Sequence, residues 1–125
     1  MMRATRLFMM VEAGTFCVAA MIHFGFLLAG YGHRKAAIAE SVIAFVLFAG
    51  LTFTWIRPSA ALRVGLAAQS FALLATLVGI FTIAIGVGPR TAPDIGYHLG
   101  IVIVLVSGLI VAVRAIKKVS PQRAR

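Results

Sequence analysis

Four ionisable side chains lie within long apolar stretches of this sequence, where such groups are rare. They are Glu12, His23, Glu40 and His98, and Gln69 is a fifth polar residue in the same kind of position. A charged side chain at the centre of a membrane-spanning helix costs about 2.5–3.5 kcal/mol on insertion scales, so it normally faces other helices and has a partner. These five residues are therefore the first candidates for a functional site.

His23, Glu40 and His98 together offer two imidazoles and one carboxylate. Such ligands are known for zinc and non-haem iron, and two imidazoles on facing helices can hold a haem iron from both sides. A carboxylate beside a histidine can also move protons or act as acid and base on a lipid-soluble substrate. Because the sequence has no Glu-x-x-His, His-x-x-x-His or paired-cysteine motif, haem, a divalent metal ion and a cofactor-free site all stay open.

A structural role is the competing hypothesis for these three residues. Interhelical hydrogen bonds in membranes contribute about 0.6 kcal/mol on average, which is less than the cost of burying an ionisable group. This comparison favours a functional polar site. Glu40 and His98 also lie close to the ends of their apolar stretches, so contact with lipid headgroups is a third possibility.

The composition indicates the class of protein that carries these side chains. The chain has 125 residues, of which 62% are hydrophobic and 12% charged, whereas soluble domains have roughly 25% charged residues. These values exclude an ordinary soluble domain and a disordered chain. Cys17 is the only cysteine, which excludes a disulfide-stabilised scaffold. A polytopic membrane protein remains.

Four apolar stretches are each long enough to cross a bilayer as a helix. Proline, glycine and basic residues separate them, and connections this short place consecutive helices antiparallel to each other. We therefore predict an all-α fold, an antiparallel four-helix transmembrane bundle that forms a single domain over residues 1–125. The predicted spans are about 7–30, 36–56, 61–87 and 95–116, with a basic cytoplasmic tail at 117–125.

The net charge of +9 indicates membrane topology rather than binding to nucleic acid, because most basic residues flank the apolar stretches. On one side of the predicted bundle are Arg3, Arg6, Arg57, Arg63, Arg114, Lys117, Lys118, Arg123 and Arg125, and on the other are Arg34, Lys35 and Arg90. Cytoplasmic segments carry the excess of Lys and Arg. Both termini are therefore expected in the cytoplasm, with the chain in a bacterial inner membrane or its equivalent.

This topology groups the polar residues by depth. His23, Glu40 and His98 are expected in the outer half of the membrane, with His23 about seven residues before the end of its span at Gly30. Glu12 shares a helix face with His23 but lies about 16 Å further along the axis. Glu12 and Gln69 are therefore expected to form a separate inner polar pair.

The fourth predicted helix carries two further signals. Asp94 follows Pro93 and is expected to cap the start of this helix, and a part in forming the mouth of the site is the lesser alternative. Gly96 and Gly100 form a Gly-x-x-x-Gly motif about 160° away from His98 around the helix axis. If His98 faces the bundle interior, the glycines face outward and suit close packing against another helix. This predicts a homo-oligomer or a larger membrane complex.

The chain resembles the small bacterial four-helix membrane proteins grouped as DoxX-like. The resemblance covers all four spans and rests on chain length, short loops, Arg6 before the first helix and His23 late in it. Some proteins of that kind are associated with quinone-linked sulfur or oxidative-stress redox systems. The resemblance therefore implies a redox accessory role.

The leading hypothesis is a small integral membrane protein that binds a hydrophobic ligand or redox cofactor in an outer-half pocket lined by His23, Glu40 and His98. A second hypothesis is an accessory subunit without chemistry of its own, which docks through its glycine face. A third is a minimal proton-coupled transporter that uses Glu12 and Glu40. An enzyme that acts on a lipid-soluble substrate is the last alternative.

Overall fold

The computed structural model describes residues 2–119, and every secondary-structure element in this range is a helix. The elements are α1 (Met2–His23), α2 (Arg34–Ile56), a short 3-10 helix (Pro58–Ala60), α3 (Ala61–Ala84) and α4 (Ala92–Val119). Four helices are long and apolar enough to cross a membrane. Of the predicted basic tail, Lys117 and Lys118 belong to α4, whereas residues 120–125 lie outside the described part of the chain.

Helices α1 and α3 each pack against all three of the other helices. Helices α2 and α4 do not pack directly against each other within residues 2–119. The centre of the core contains Met9, Ala13, Phe16, Leu47, Ala72 and Leu105. Many of the buried positions are alanines, which allow the helix backbones to approach closely.

Helix α1 ends at His23, seven residues before the end of the predicted span at Gly30. The backbone N–H of Gly25 donates to the carbonyl of Ile22, and that of Phe26 donates to the carbonyl of Met21. These two bonds form a Schellman motif, in which Gly25 takes the left-handed conformation (φ 81°) that favours glycine. The expectation that His23 lies deep within a longer helix is therefore wrong, since it is the last residue of α1.

The start of α2 is tied directly to the end of α1. The backbone N–H of His33 donates to the carbonyl of His23 at 2.8 Å. The His33 ring caps α2, because its Nδ1 accepts a hydrogen bond from the N–H of Ala36 at 3.2 Å. These two bonds place the first turns of α2 beside His23.

Helix α4 begins at Ala92, three residues before the predicted start. Thr91 is its N-cap: the Thr91 hydroxyl accepts from the N–H of Asp94 at 3.3 Å, while the Asp94 carboxylate accepts from the N–H of Thr91 at 3.1 Å. This reciprocal pair is a capping box. The prediction that Asp94 itself caps the helix is therefore wrong, because Asp94 occupies the third helical position.

Candidate functional site

A buried cluster of three ionisable side chains lies where α1, α2 and α4 meet. Nδ1 of His23 is 2.7 Å from Oε2 of Glu40, and Nε2 of His23 is 3.1 Å from Oδ1 of Asp94. The exposed fractions of His23, Glu40 and Asp94 are only 4%, 5% and 6%. Both ring nitrogens of one imidazole are thus bound to carboxylates from two other helices.

Local backbone structure positions each member of the cluster. The Schellman motif after His23 ends α1 at this residue, and the hydrogen bond between His33 and His23 brings the second turn of α2, with Glu40, to the same place. The capping box holds Asp94 through its other oxygen, because both the N–H and the hydroxyl of Thr91 donate to Oδ2. Oδ1 of Asp94 is left to contact His23.

The two hydrogen bonds restrict the number of protons in the cluster. Each bond between a ring nitrogen and a carboxylate oxygen needs one hydrogen, carried by the ring or by the carboxyl group. While both hydrogen bonds are formed, the cluster therefore holds two such protons. Its net charge is −1, whether the imidazole is charged between two carboxylates or is neutral beside one protonated carboxyl group.

The structure brings together His23 and Glu40 but separates His98 from them. Nδ1 of His98 is 2.7 Å from the backbone carbonyl oxygen of Asp94. Its Nε2 faces α3, where it would be 3.7 Å from a Cβ atom placed on Gly79. The expected three-residue pocket therefore needs correction: Asp94, not His98, contacts His23, because the longer α4 places Asp94 in its first turn.

A cavity of about 700 Å³ lies between α1 and α4 beside this cluster. His23, Asp94 and Tyr97 line it on the polar side, and its walls are otherwise mostly apolar side chains such as Val18 and Ile22. The hydroxyl group of Tyr97 is buried and has no hydrogen-bond partner among the described residues. Ligand pockets typically have volumes of about 300–1,000 Å³ and apolar walls with a few polar groups, and this cavity has both properties.

A second cavity, of about 210 Å³, lies between α2, α3 and α4 on the other side of the cluster. Glu40 and His98 line it, together with His33 and Lys35 from the start of α2. Oε1 of Glu40 is buried and has no hydrogen-bond partner among the described residues. The residues expected to share one pocket are thus divided between two: His23 lines the larger cavity, and Glu40 and His98 line the smaller one.

The cluster geometry is not that of a metal centre. Within residues 2–119, no group of three His, Cys, Asp or Glu side chains is arranged to hold a metal ion. The two carboxylates bind opposite ring nitrogens of His23, so they do not converge on one point. An axial haem bond from His23 would also require the loss of one of these two hydrogen bonds.

The second group of polar residues joins α1 to α3. Nε2 of Gln69 donates to both carboxylate oxygens of Glu12, at 2.9 and 3.1 Å, and both side chains are fully buried. Gly108 of α4 lies directly against this pair, so that a Cβ atom there would come within 3.0 Å of both side chains. The importance of Gly108 was not evident from the sequence, where it is one of 12 glycines.

Gly96 and Gly100 lie on the exposed surface of α4. A Cβ atom added to either would have no atom of the described chain within 4 Å. The two glycines therefore do not pack against α1, α2 or α3. Their role in docking another helix stays a prediction.

Comparison with protein-family models, with curated proteins and with solved structures found no match to this chain. The DoxX-like resemblance therefore stays a prediction. The function has to be argued from the site itself.

Proposed function

We propose that the four helices form an antiparallel bundle inserted in a membrane. Two contacts between α1 and α2 support opposite directions: Arg6 near the start of α1 binds Thr54 near the end of α2, and His23 at the end of α1 binds Glu40 near the start of α2. Large apolar side chains are exposed on the outer surfaces of the helices, such as Phe45 at 72%. Water would be a poor solvent for such a surface, but lipid would be a good one.

The distribution of charge supports an inner-membrane location with both termini in the cytoplasm. Arg3, Arg6, Arg57 and Arg63 lie near the ends of helices on the side of the N-terminus, and Lys and Arg accumulate on the cytoplasmic side of membrane proteins. The guanidinium group of Arg6 lies 4.1 Å from the centre of the Trp55 ring. Tryptophan is enriched at membrane interfaces, which supports a membrane surface at this end of the bundle.

Within this bundle, the proposed function is to bind a lipid-soluble small molecule in the cavity between α1 and α4. The observation that supports it is the combination of a mostly apolar cavity of about 700 Å³ with a buried polar cluster at its wall. Hydrocarbon parts of a ligand would contact side chains such as Val18 and Ile22. A polar head group would reach His23 and Asp94.

The chemistry of the wall indicates what the head group is. The Tyr97 hydroxyl has no acceptor within the described chain but is itself buried, so it would donate a hydrogen bond to an oxygen of a ligand only after its ring turned towards the cavity. Asp94 offers carboxylate oxygens, which accept a hydrogen bond from a hydroxyl group. A ligand with a carbonyl or hydroxyl group on an apolar skeleton would therefore form hydrogen bonds with the polar groups of the cavity wall.

Photolabelling with benzophenone tests this proposal, since this apolar ketone fits the proposed ligand class and inserts into nearby C–H bonds on illumination. Protein in lipid nanodiscs should be labelled on α1 and α4 at residues that line the cavity, such as Val18. In Gly14→Phe, the new ring would fill the cavity, because Gly14 lines it and has open space at its Cβ position. Labelling should fall by about tenfold, the effect of losing about 1.4 kcal/mol of binding.

Gly100→Phe is the matched control, since this glycine is also exposed to open space but does not line the cavity. Its labelling should equal that of the wild-type protein. Equal labelling in Gly14→Phe and Gly100→Phe, or labels spread evenly over the lipid-facing surface, would show that the cavity is not a binding site.

A second candidate function is that of an accessory subunit, because the open face at Gly96 and Gly100 offers space for a helix from another chain. Crosslinking in native membranes tests it. Gly96→Leu and Gly100→Leu should abolish a crosslinked complex that persists in Gly14→Leu. A protein that remains monomeric in native membranes would exclude this function.

A further inference from the structure

The buried cluster separates the two cavities and connects them chemically. His23 and Asp94 line the larger cavity, Glu40 lines the smaller one, and no residue lines both. The hydrogen bonds from Asp94 to His23 and from His23 to Glu40 thus form a continuous path of two bonds, 3.1 and 2.7 Å long, from one cavity to the other.

The path has three proton arrangements that keep both hydrogen bonds. In the first, Asp94 is protonated and donates to Nε2, while Nδ1–H donates to Glu40. In the second, the ring is a charged imidazolium that donates to both carboxylates. In the third, Nε2–H donates to Asp94, while protonated Glu40 donates to Nδ1. All three hold two protons and a net charge of −1. A proton can therefore shift from Asp94 to Glu40 while the three side chains stay in hydrogen-bond contact.

The Glu40 end of the path has one carboxylate oxygen without a hydrogen-bond partner. Its Oε2 is bound to His23, but Oε1 has no hydrogen-bond partner in the described chain, although Glu40 is 95% buried. The cavity that Glu40 lines also contains the rings of His33 and His98 and the side chain of Lys35. From α3, the polar residues that line this cavity are Thr76 and Thr82, whose hydroxyls donate to carbonyls of their own helix.

The tautomers of His33 and His98 leave one ring nitrogen of each free to form a hydrogen bond with water in the smaller cavity. Nδ1 of His98 donates to a carbonyl, which leaves the lone pair of Nε2 as an acceptor in the neutral ring. Nδ1 of His33 accepts from a backbone N–H, which leaves Nε2–H as a donor. Water in this cavity would therefore find both donors and acceptors.

We propose that Asp94, His23 and Glu40 form a proton relay, through which a ligand in the larger cavity exchanges a proton with the smaller cavity. The ligand is then a lipid-soluble molecule with an acidic hydroxyl group, such as a phenol. This inference rests on the proposed function, because it assigns the chemical class of the molecule bound in the same cavity.

The proton transfer balances without a change in oxidation state. The transfer starts from a cluster that holds one proton, on Nδ1, with both carboxylates ionised. The ligand O–H bond breaks, and its proton joins Oδ1 of Asp94 and leaves a phenolate, which gives the first of the three arrangements. Asp94 then protonates Nε2 as Nδ1–H passes its proton to Glu40, and Glu40 releases a proton to water. The ring now carries its hydrogen on Nε2. The same steps in reverse return that hydrogen to Nδ1 when the ligand takes a proton back and leaves.

The experiment uses an alkyl-substituted 4-nitrophenol as probe, with the full chain in weakly buffered nanodiscs. The absorbance of the probe distinguishes phenol from phenolate, and a water-soluble pH indicator measures protons released to the solution. Wild-type protein should release about one proton per bound probe molecule. Gly14→Phe should bind the probe about tenfold more weakly and release correspondingly fewer protons.

Glu40→Gln is the decisive variant, because glutamine keeps the shape and the hydrogen bond to His23 but cannot pass a proton on. This residue does not line the larger cavity, so Glu40→Gln should still bind the probe while proton release is lost. Glu12→Gln, which alters a buried carboxylate outside the relay, should release protons as the wild type does.

The outcomes separate the two proposals. Normal proton release from Glu40→Gln would overturn the relay and leave the binding site intact. Absence of probe binding to wild-type protein, or binding that is unchanged in Gly14→Phe, would overturn the proposed function and the relay together. Probe binding to Glu40→Gln without proton release supports both.

Discussion

Nδ1 of His98 donates a hydrogen bond to the backbone carbonyl oxygen of Asp94, one turn earlier in α4, at 2.7 Å. This bond holds the His98 ring against its own helix and directs Nε2 towards Gly79 of α3. His23, in contrast, has a carboxylate at each ring nitrogen. Two histidines that look equivalent in the sequence therefore have different energetic roles.

The first prediction concerns this difference. His23→Ala leaves two buried carboxylates without their common partner, and the loss of one member of a buried ion pair typically costs about 3–5 kcal/mol. His98→Ala removes one hydrogen bond to a backbone carbonyl, which contributes about 0.5–1.5 kcal/mol. The free energy of unfolding, measured by titration with sodium dodecyl sulfate in mixed micelles, should fall much more for His23→Ala. Equal losses in the two variants would contradict the assigned cluster.

Part of the site could be predicted from the sequence. Burial of an ionisable group is costly in any apolar helix, so composition and periodicity were enough to single out His23, Glu40, Glu12 and Gln69. The structure brings these residues together in two pairs. The bounds of α2 also lie within two residues of the predicted span at 36–56.

The sequence predicts mainly a capping role for Asp94, because the predicted ends of two helices differ from the observed ones. Gly25 ends α1 at His23 by a backbone conformation that an apolar stretch cannot reveal, and α4 starts at Ala92 rather than at residue 95. A threonine three residues before an acidic residue, as in Thr91 and Asp94, is a recognisable capping-box signal. That signal would have placed Asp94 inside the helix, close to the other ionisable groups.

The rotation of one packed helix relative to another could not be predicted. Whether His98 faces His23 depends on how α4 packs against α1 and α3, which is a property of the whole core rather than of one stretch. Gly108 shows the same limit, because its closeness to Glu12 and Gln69 arises only when α4 is packed.

The second prediction tests the capping box that holds Asp94. Thr91→Ala removes the hydroxyl that caps α4 and donates to the Asp94 carboxylate, so the free energy of unfolding should fall by about 1 kcal/mol. The matched control is Thr52→Ala, whose hydroxyl binds only a carbonyl of its own helix on the exposed surface. Its effect should stay within about 0.5 kcal/mol. If Thr52→Ala lowered the free energy of unfolding as much as Thr91→Ala, the cap would make no contribution of its own to stability.

The third prediction concerns the close approach of α4 to the inner pair. In Gly108→Ala, the new methyl group would come closer than 3.0 Å to Gln69 Nε2 and Glu12 Oε1, so α4 or the pair has to shift. Overpacking of this kind costs about 1–3 kcal/mol. Gly100→Ala on the same helix has open space and should be neutral or stabilising by up to about 1 kcal/mol, since alanine favours helices. The same micelle titration checks both variants, and a neutral Gly108→Ala would show that α4 packs less closely here.

The fourth prediction distinguishes structural from chemical roles of Glu12. Glu12→Ala leaves the buried amide N–H groups of Gln69 without their acceptor, which should cost about 1–3 kcal/mol. Glu12→Gln keeps one acceptor oxygen and adds an amide donor, and the buried Oε1 of Gln69 has no partner within the described residues. Two amides can then satisfy each other, so Glu12→Gln should be at least as stable as the wild type, with a gain of up to about 1 kcal/mol. If Glu12→Gln instead lost as much stability as Glu12→Ala, the carboxylate itself would be required for packing against Gln69.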